Sequence, residues 1–121
     1  MSKILCVDDS RVIRMILTRD LQGNGFTVVT GVDGLDGLKV LSENPDVCAI
    51  ITDINMPNLD GFGFIKEVRK TDAFKTVPII VLTTESDNEK KRQAHEAGAT
   101  GWLVKPFDSV KLAAAIRRVT A

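Results

Sequence analysis

Four apolar runs in this chain end in a residue whose side chain can do chemistry. Lys3-Ile-Leu-Cys-Val7 leads into Asp8-Asp9, and Val47-Cys-Ala-Ile-Ile-Thr52 leads into Asp53. Ile79-Ile-Val-Leu82 leads into Thr83-Thr84, and Gly101-Trp-Leu-Val104 into Lys105. A fifth run, Phe26 to Thr30, ends at Gly31 with nothing comparable. Pro57 and Gly61 break the chain just after Asp53, so this carboxylate stands where a buried strand leaves a core. If the strand ends share one rim, three carboxylates, a hydroxyl and an amine converge there. Clustered carboxylates repel one another. A hard divalent cation relieves that repulsion, and Mg²⁺ takes oxygen ligands while keeping several waters. Beside such an ion Asp53 can act as a nucleophile toward phosphorus and form an acyl phosphate. Lys105 can pair with a carboxylate in the empty site and with an anion in the filled one. Thr83 can donate a hydrogen bond to an oxygen of the transferred group. Singly, each residue has an ordinary explanation: a helix cap, a β-forming threonine, a surface lysine. Their joint appearance at successive strand ends points to one shared site.

The elements that must hold these residues read clearly. Lys3–Val7 has no alternation, which suits a strand covered on both faces. Val12, Ile13, Ile16, Leu17 and Leu21 recur at helical spacing, with Asp9 or Ser10 placed as a cap and Gly23-Asn-Gly25 as the stop. Phe26–Thr30 is a second strand, rich in β-branched residues. Asp33 can cap a helix running to about Glu43, with Leu35, Leu38 and Leu41 inward and Asn44-Pro45 ending it. Val47–Thr52 is the most continuously apolar run and should be central. A helix from about Phe62 to Lys70 uses Phe64, Ile65 and Val68. Pro78 precedes a fourth strand, Ile79–Thr83, at a tolerated position. Ser86-Asp-Asn-Glu89 has capping-box spacing, so a helix should run from about Asp87 to Ala97 and close at Gly98. Only Ala94 and Ala97 anchor that helix, which should therefore be loosely held. Gly101–Val104 is a short fifth strand, and Asp108 can cap a last helix through Leu112, Ala113 and Ile116 to about Val119. Strands and helices alternating at this spacing imply right-handed crossovers and a parallel sheet between two helical layers. Such a sheet places ligands outside the carboxyl ends of its strands.

Composition narrows the function. The chain has 121 residues, 44% of them apolar and 26% charged, with 16 basic and 16 acidic residues in balance. That length suits one domain over residues 1–121. A strongly basic nucleic-acid module would not be neutral. No apolar run reaches membrane-spanning length, and the N-terminus is no signal peptide. Cys6 and Cys48 both lie in apolar segments and read as buried free thiols in a reducing compartment, which makes the expected location cytoplasmic.

The ordered set Val7-Asp-Asp-Ser10, Asp53-x-x-Met56-Pro57 with Asp60-Gly61, Thr83 after an aliphatic strand, and Lys105-Pro106-Phe107 resembles the receiver domain of two-component response regulators. The resemblance spans essentially the whole chain. It implies a flavodoxin-like, doubly wound α/β fold with a five-stranded parallel sheet of order 2-1-3-4-5 and helices on both faces. It makes Asp53 the phosphorylated residue, taking its phosphoryl group from a histidine kinase. Asp9, Asp53 and the backbone carbonyl of Asn55 would ligate Mg²⁺, with Asp8 acting largely through water. Thr83 would be the switch hydroxyl, Lys105 the amine that contacts the phosphoryl group, and the Lys105–Pro106 bond would be cis. Trp102 would be the aromatic switch residue, where the family more often carries Tyr or Phe. Asn55 and Glu85 would flank the phosphoryl group and tune its hydrolysis. The output face would combine the fourth helix, fifth strand and last helix, with Lys90, Lys91 and Trp102 meeting a partner. A chemotaxis role is implied, with a flagellar motor switch component as target, a phosphatase as a further partner, and a monomeric state.

Other readings follow from the same residues. A Mg²⁺-dependent phosphatase resembling the haloacid dehalogenase superfamily would want an aspartate where Asn55 stands, and no cap domain is visible. A receiver from a longer transcriptional or enzymatic regulator would carry the same site. A binding-only pseudo-receiver would have lost acidic or switch positions, and none is missing. Neither a Walker A motif nor a dinucleotide glycine fingerprint follows the first strand. His95, on the polar fourth helix, reads as an exposed side chain and not a phosphodonor.

Overall fold

A computed structural model describes residues 2–120. In chain order the elements are β1 (Lys3–Val7), α1 (Arg11–Gly23), β2 (Thr27–Gly31), α2 (Gly34–Glu43), β3 (Val47–Thr52), α3 (Gly61–Lys70), β4 (Ile79–Thr83), α4 (Asn88–Ala97), β5 (Gly101–Val104) and α5 (Ser109–Thr120). A short 3₁₀ turn, Asp72–Phe74, follows α3. All pairings are parallel, as the alternating elements predict, and the sheet order is β2-β1-β3-β4-β5, as the family resemblance implies.

The sheet divides two apolar layers. Leu5, Val7, Ile50, Ile79 and Val81 face α2, α3 and α4, where Phe64, Ile65 and Val68 fill the space. Ile4, Cys6, Ala49, Ile51, Ile80 and Leu82 face α1 and α5, against Leu17, Leu21, Leu112 and Ile116. Covered on both faces, β1, β3 and β4 need unbroken apolar sequence, which explains their lack of alternation. Chain reversals beside the site are tight. A Cβ on Gly61 would lie 2.2 Å from the Asp53 carbonyl oxygen, so only glycine lets α3 start this close to the end of β3.

Several sequence expectations need correction. Val12 is 63% exposed and Leu35 is 56% exposed, so neither belongs to the core. Each sits in the first turn of its helix, where helical spacing alone does not ensure a covering neighbour. Ser86 does not cap α4. Asp87 does, accepting from the Glu89 N–H at 2.7 Å, because its carboxylate sits one residue nearer the helix. Cys6 is buried, but Cys48 is only half-buried on β3; both are free thiols. The remaining caps agree with the sequence: Ser10 on α1, Asp33 on α2 and Asp108 on α5. Gly98 closes α4 in the left-handed region, at φ 119°.

Candidate functional site

The carboxyl ends of β1, β3, β4 and β5 bring the predicted rim together. Asp8 follows β1 and is 2% exposed, whereas Asp53 follows β3 and is 9% exposed. Asp9 is exposed beside them, and one carboxylate oxygen from each of the three lies within 4.8 Å of the others. Lys105, after β5, reaches across to both buried acids. Its Nζ donates to Asp8 Oδ2 at 2.7 Å and to Asp53 Oδ2 at 2.9 Å. The other oxygens are also engaged: Asp8 Oδ1 accepts from the Ser10 N–H at 2.9 Å, and Asp53 Oδ1 from the Ile54 N–H at 2.6 Å. The ends of β4 and β5 are tied by the Lys105 N–H, which donates to the Thr83 carbonyl at 2.8 Å. The Lys105–Pro106 bond is cis.

The electrostatics show a site short of positive charge. Burial pushes the Asp8 carboxyl above the ordinary aspartate value; Lys105 and the Ser10 N–H oppose this, and the neighbouring Asp53 adds to it. For Lys105, burial works against the ammonium, but its bonds to Asp8 and Asp53 outweigh that and hold its pKa above the usual lysine value. One ammonium thus serves two carboxylates and leaves the third to solvent. Three clustered carboxylates with no nitrogen or sulfur donor among them form a hard oxygen set, which fits a divalent cation.

The switch and flanking residues lie around this centre. Thr83 is fully buried, and its Oγ1 accepts from the Glu85 N–H at 3.3 Å. Asn55 is exposed and donates to Glu85 Oε1 at 3.1 Å, and Lys90 reaches the same oxygen at 3.2 Å. The Asn55 amide, then Lys90, hold the Glu85 carboxyl below the usual range. Lys90 is therefore turned toward the rim. Lys91 and Trp102 instead share a groove of about 110 Å³, with Ala94, His95 and Ala99. Trp102 is half-buried on β5 and packs on the α2–α4 side of the core. His95 is exposed, as expected.

Sequence reasoning missed two arginines that hold backbone carbonyls, Arg14 at the rim and Arg69 at the far end of α4. Arg14, on α1, donates from Nη1 to the Asp8 carbonyl at 2.7 Å. Arg69, on α3, donates to the Gly98 carbonyl from Nε at 3.0 Å and Nη2 at 2.8 Å, and to the Phe74 carbonyl at 3.0 Å. Their partners are backbone atoms, which carry no sequence signature.

Comparison with known proteins agrees with this geometry. Residues 4–117 match the family described as the response regulator receiver domain. The fold is similar to the structure of chemotaxis protein CheY4 of Vibrio cholerae, with a TM-score of 0.94, 44% identity and 98% of each chain covered. The chain is 38% identical over 118 residues to a probable chemotaxis protein CheY of Rhizobium etli, covering 97% of this chain and 91% of that one. It is 44% identical over 118 residues to the probable transcriptional regulator ycf27 of Guillardia theta, covering 97% of this chain but 44% of that protein. The chain spans 91% of the Rhizobium relative but 14% of the sensor histidine kinase CheAY of Helicobacter pylori, to which it is 35% identical. An acidic cluster at the strand ends, a parallel sheet of order 2-1-3-4-5 and the family match make this a signalling module and not a metabolic phosphatase: the chain belongs to the response regulator receiver domain family and is CheY-like.

Proposed function

We propose that Asp53 accepts a phosphoryl group from the phosphohistidine of a histidine kinase, and that the resulting acyl phosphate changes which partner the protein binds. The observation that carries this reading is the Lys105 ammonium bridging Asp8 and Asp53 at the mouth of the sheet. An Asp53 carboxylate oxygen attacks phosphorus as the P–N bond to the donor imidazole breaks, and the imidazole leaves with a proton from solvent. Lys105 stays charged and exchanges a carboxylate partner for a phosphoryl oxygen. Thr83 turns its hydroxyl outward to a second oxygen, which withdraws the acceptor now used by the Glu85 N–H. Asp9, Asp53 and the Asn55 carbonyl are the residues that would hold Mg²⁺, which when bound supplies charge neutralisation at the transferring group. Water attack on phosphorus later returns Asp53 to the carboxylate, with Asn55 and Glu85 controlling access.

The response reaches Trp102, Lys91 and the α4–β5–α5 face because the Glu85 segment joins the site to α4. Chemotaxis is the pathway that the CheY4 and CheY likenesses support, and the target we propose is a flagellar motor switch component. No described helix is long and apolar enough to cross a membrane, in keeping with a cytoplasmic location. A second reading, a receiver acting within a longer regulator, is supported by the 44% span of the transcriptional relative and uses the same site chemistry.

The test is incubation with Mg²⁺ and a small acyl phosphate, followed by intact mass and Trp102 fluorescence. One phosphoryl adduct is expected, absent in Asp53→Asn and accompanied by a fluorescence change. An adduct that persists in Asp53→Asn overturns the assignment.

A further inference from the structure

The segment between β3 and α3 carries Asn55, the residue whose carbonyl completes the cation ligand set proposed above. Its ends are fixed by neighbours in sequence: the Gly61 N–H donates to the Ile54 carbonyl at 2.8 Å, and Asp60 caps α3 through the Gly63 N–H. Its middle is fixed from elsewhere. Asn58 adopts a left-handed conformation, φ 67°, and its side-chain amide donates to Asp33 Oδ2 at 2.7 Å. Asp33 is 7% exposed and spends its other oxygen on the Asp36 N–H, capping α2. One residue later the Gly34 N–H donates to the Leu59 carbonyl at 3.0 Å. A Cβ on Gly34 would lie 2.4 Å from that carbonyl oxygen, so the segment presses directly on the first turn of α2.

Asp33 has no place in the chemistry of the rim, yet it is buried and its two oxygens serve two different elements. An aspartate used only as a helix cap needs neither burial nor a second partner. Asn58 likewise holds a backbone conformation that costs free energy for a residue with a side chain. The cost is offset by the side-chain hydrogen bond to Asp33, which, with the Gly34–Leu59 backbone bond, ties this segment to α2. We propose that Asp33 and Asn58 are positioning residues for the divalent-cation site, holding the Asn55 segment against α2 so that its carbonyl is set before the cation arrives. The inference rests on the reading of Asp9, Asp53 and Asn55 as the cation's ligands. Residues that orient a metal ligand commonly change affinity by about tenfold or more when lost.

The experiment is a calorimetric titration with Mg²⁺ alone, alongside thermal melting without Mg²⁺, on the wild type and four variants. Asn58→Gly keeps the left-handed backbone and the net charge and removes only the amide. Asp33→Asn keeps the α2 cap but sets amide against amide. The double variant with Asp33→Asn and Asn58→Asp reverses donor and acceptor and restores the charge. Asp9→Asn removes a proposed ligand. Asn58→Gly and Asp33→Asn are expected to weaken Mg²⁺ binding by about five- to tenfold, and the reversed pair to recover to within about twofold of wild type. Unchanged affinity in folded Asn58→Gly, even with a lower melting temperature, overturns the proposal and leaves a structural contact only. If Asn58→Gly does not fold, failure of the reversed pair to improve on Asp33→Asn overturns it. A wild type that does not bind Mg²⁺, or binds it equally well as Asp9→Asn, overturns the ligand assignment itself, and this inference with it.

Discussion

The α3 side of the molecule and the α4–β5 side use the same strand–helix repeat but are held by different forces. Helix α3 buries Gly61, Phe64, Ile65 and Val68, and starts in contact with the end of β3. Helix α4 has the same length and buries only Ala94 and Ala97. Much of its surface is occupied by its own charges, with Arg92 paired to both Glu89 and Glu96. Exposed pairs of this kind add little stability. The strands differ in the same way: β4 is buried throughout, whereas β5 has no buried residue. The acidic rim thus stands on a rigid half and adjoins a weakly held one. A charge change at the rim can move only elements whose packing free energy is comparable to the change itself.

The contrast can be tested by truncating a buried anchor on each side. Phe64→Ala should cost about 3–5 kcal/mol in denaturant unfolding, whereas Ala94→Gly should cost about 1 kcal/mol, chiefly from helix propensity. Similar costs would remove the asymmetry. Gly61→Ala should cost about 2–3 kcal/mol, because a Cβ meets the Asp53 backbone. Gly101→Ala on β5 should stay within about 0.5 kcal/mol, since its Cβ meets Ile80 at an ordinary 3.7 Å. Arg69→Met should cost about 1–3 kcal/mol. Its hydrogen-exchange signature should be local, with α4 and β5 amides losing protection before those of α2.

The smallest effect is a pH dependence at Glu85. Asn55 and then Lys90 lower its folded-state pKa, so its contribution is present above the ordinary glutamate value and is lost as pH falls through the lowered one. Amides at the start of α4 should therefore lose protection as pH falls below the ordinary glutamate value, while those of α3 keep theirs. A matched response in both helices would show that the Glu85 link does not act on α4 in particular.

The features legible in sequence were those written in side-chain type and period. Unbroken apolar runs marked the doubly covered strands, and the residue after each run marked the rim, so Asp8, Asp9, Asp53, Thr83 and Lys105 could be placed before any fold was known. The failures have physical causes. Val12 and Leu35 fit a helical period, but period does not say where a neighbouring layer ends. Ser86 fitted a capping box, but the carboxylate of Asp87 competed for the same N–H groups and won. The contacts of Arg14 and Arg69 end on backbone carbonyls, and the Asp33–Asn58 bond joins residues 25 positions apart, so no local pattern marks them.

The grip of Arg69 on the Gly98 carbonyl has a mechanical consequence. It clamps the C-terminal end of α4 to α3, while at the opposite end Lys90 pairs with Glu85. A rod clamped at one end is a lever. With ten residues rising about 1.5 Å each, α4 is roughly 15 Å long, so a tilt of about 10° displaces its free end by about 2.6 Å. Trp102 lies beside the clamped half, with Ala94 and His95, where the same tilt moves atoms much less. A small rotation would thus be read as a large displacement near Glu85 and Lys90 and as a change of groove width beside Trp102.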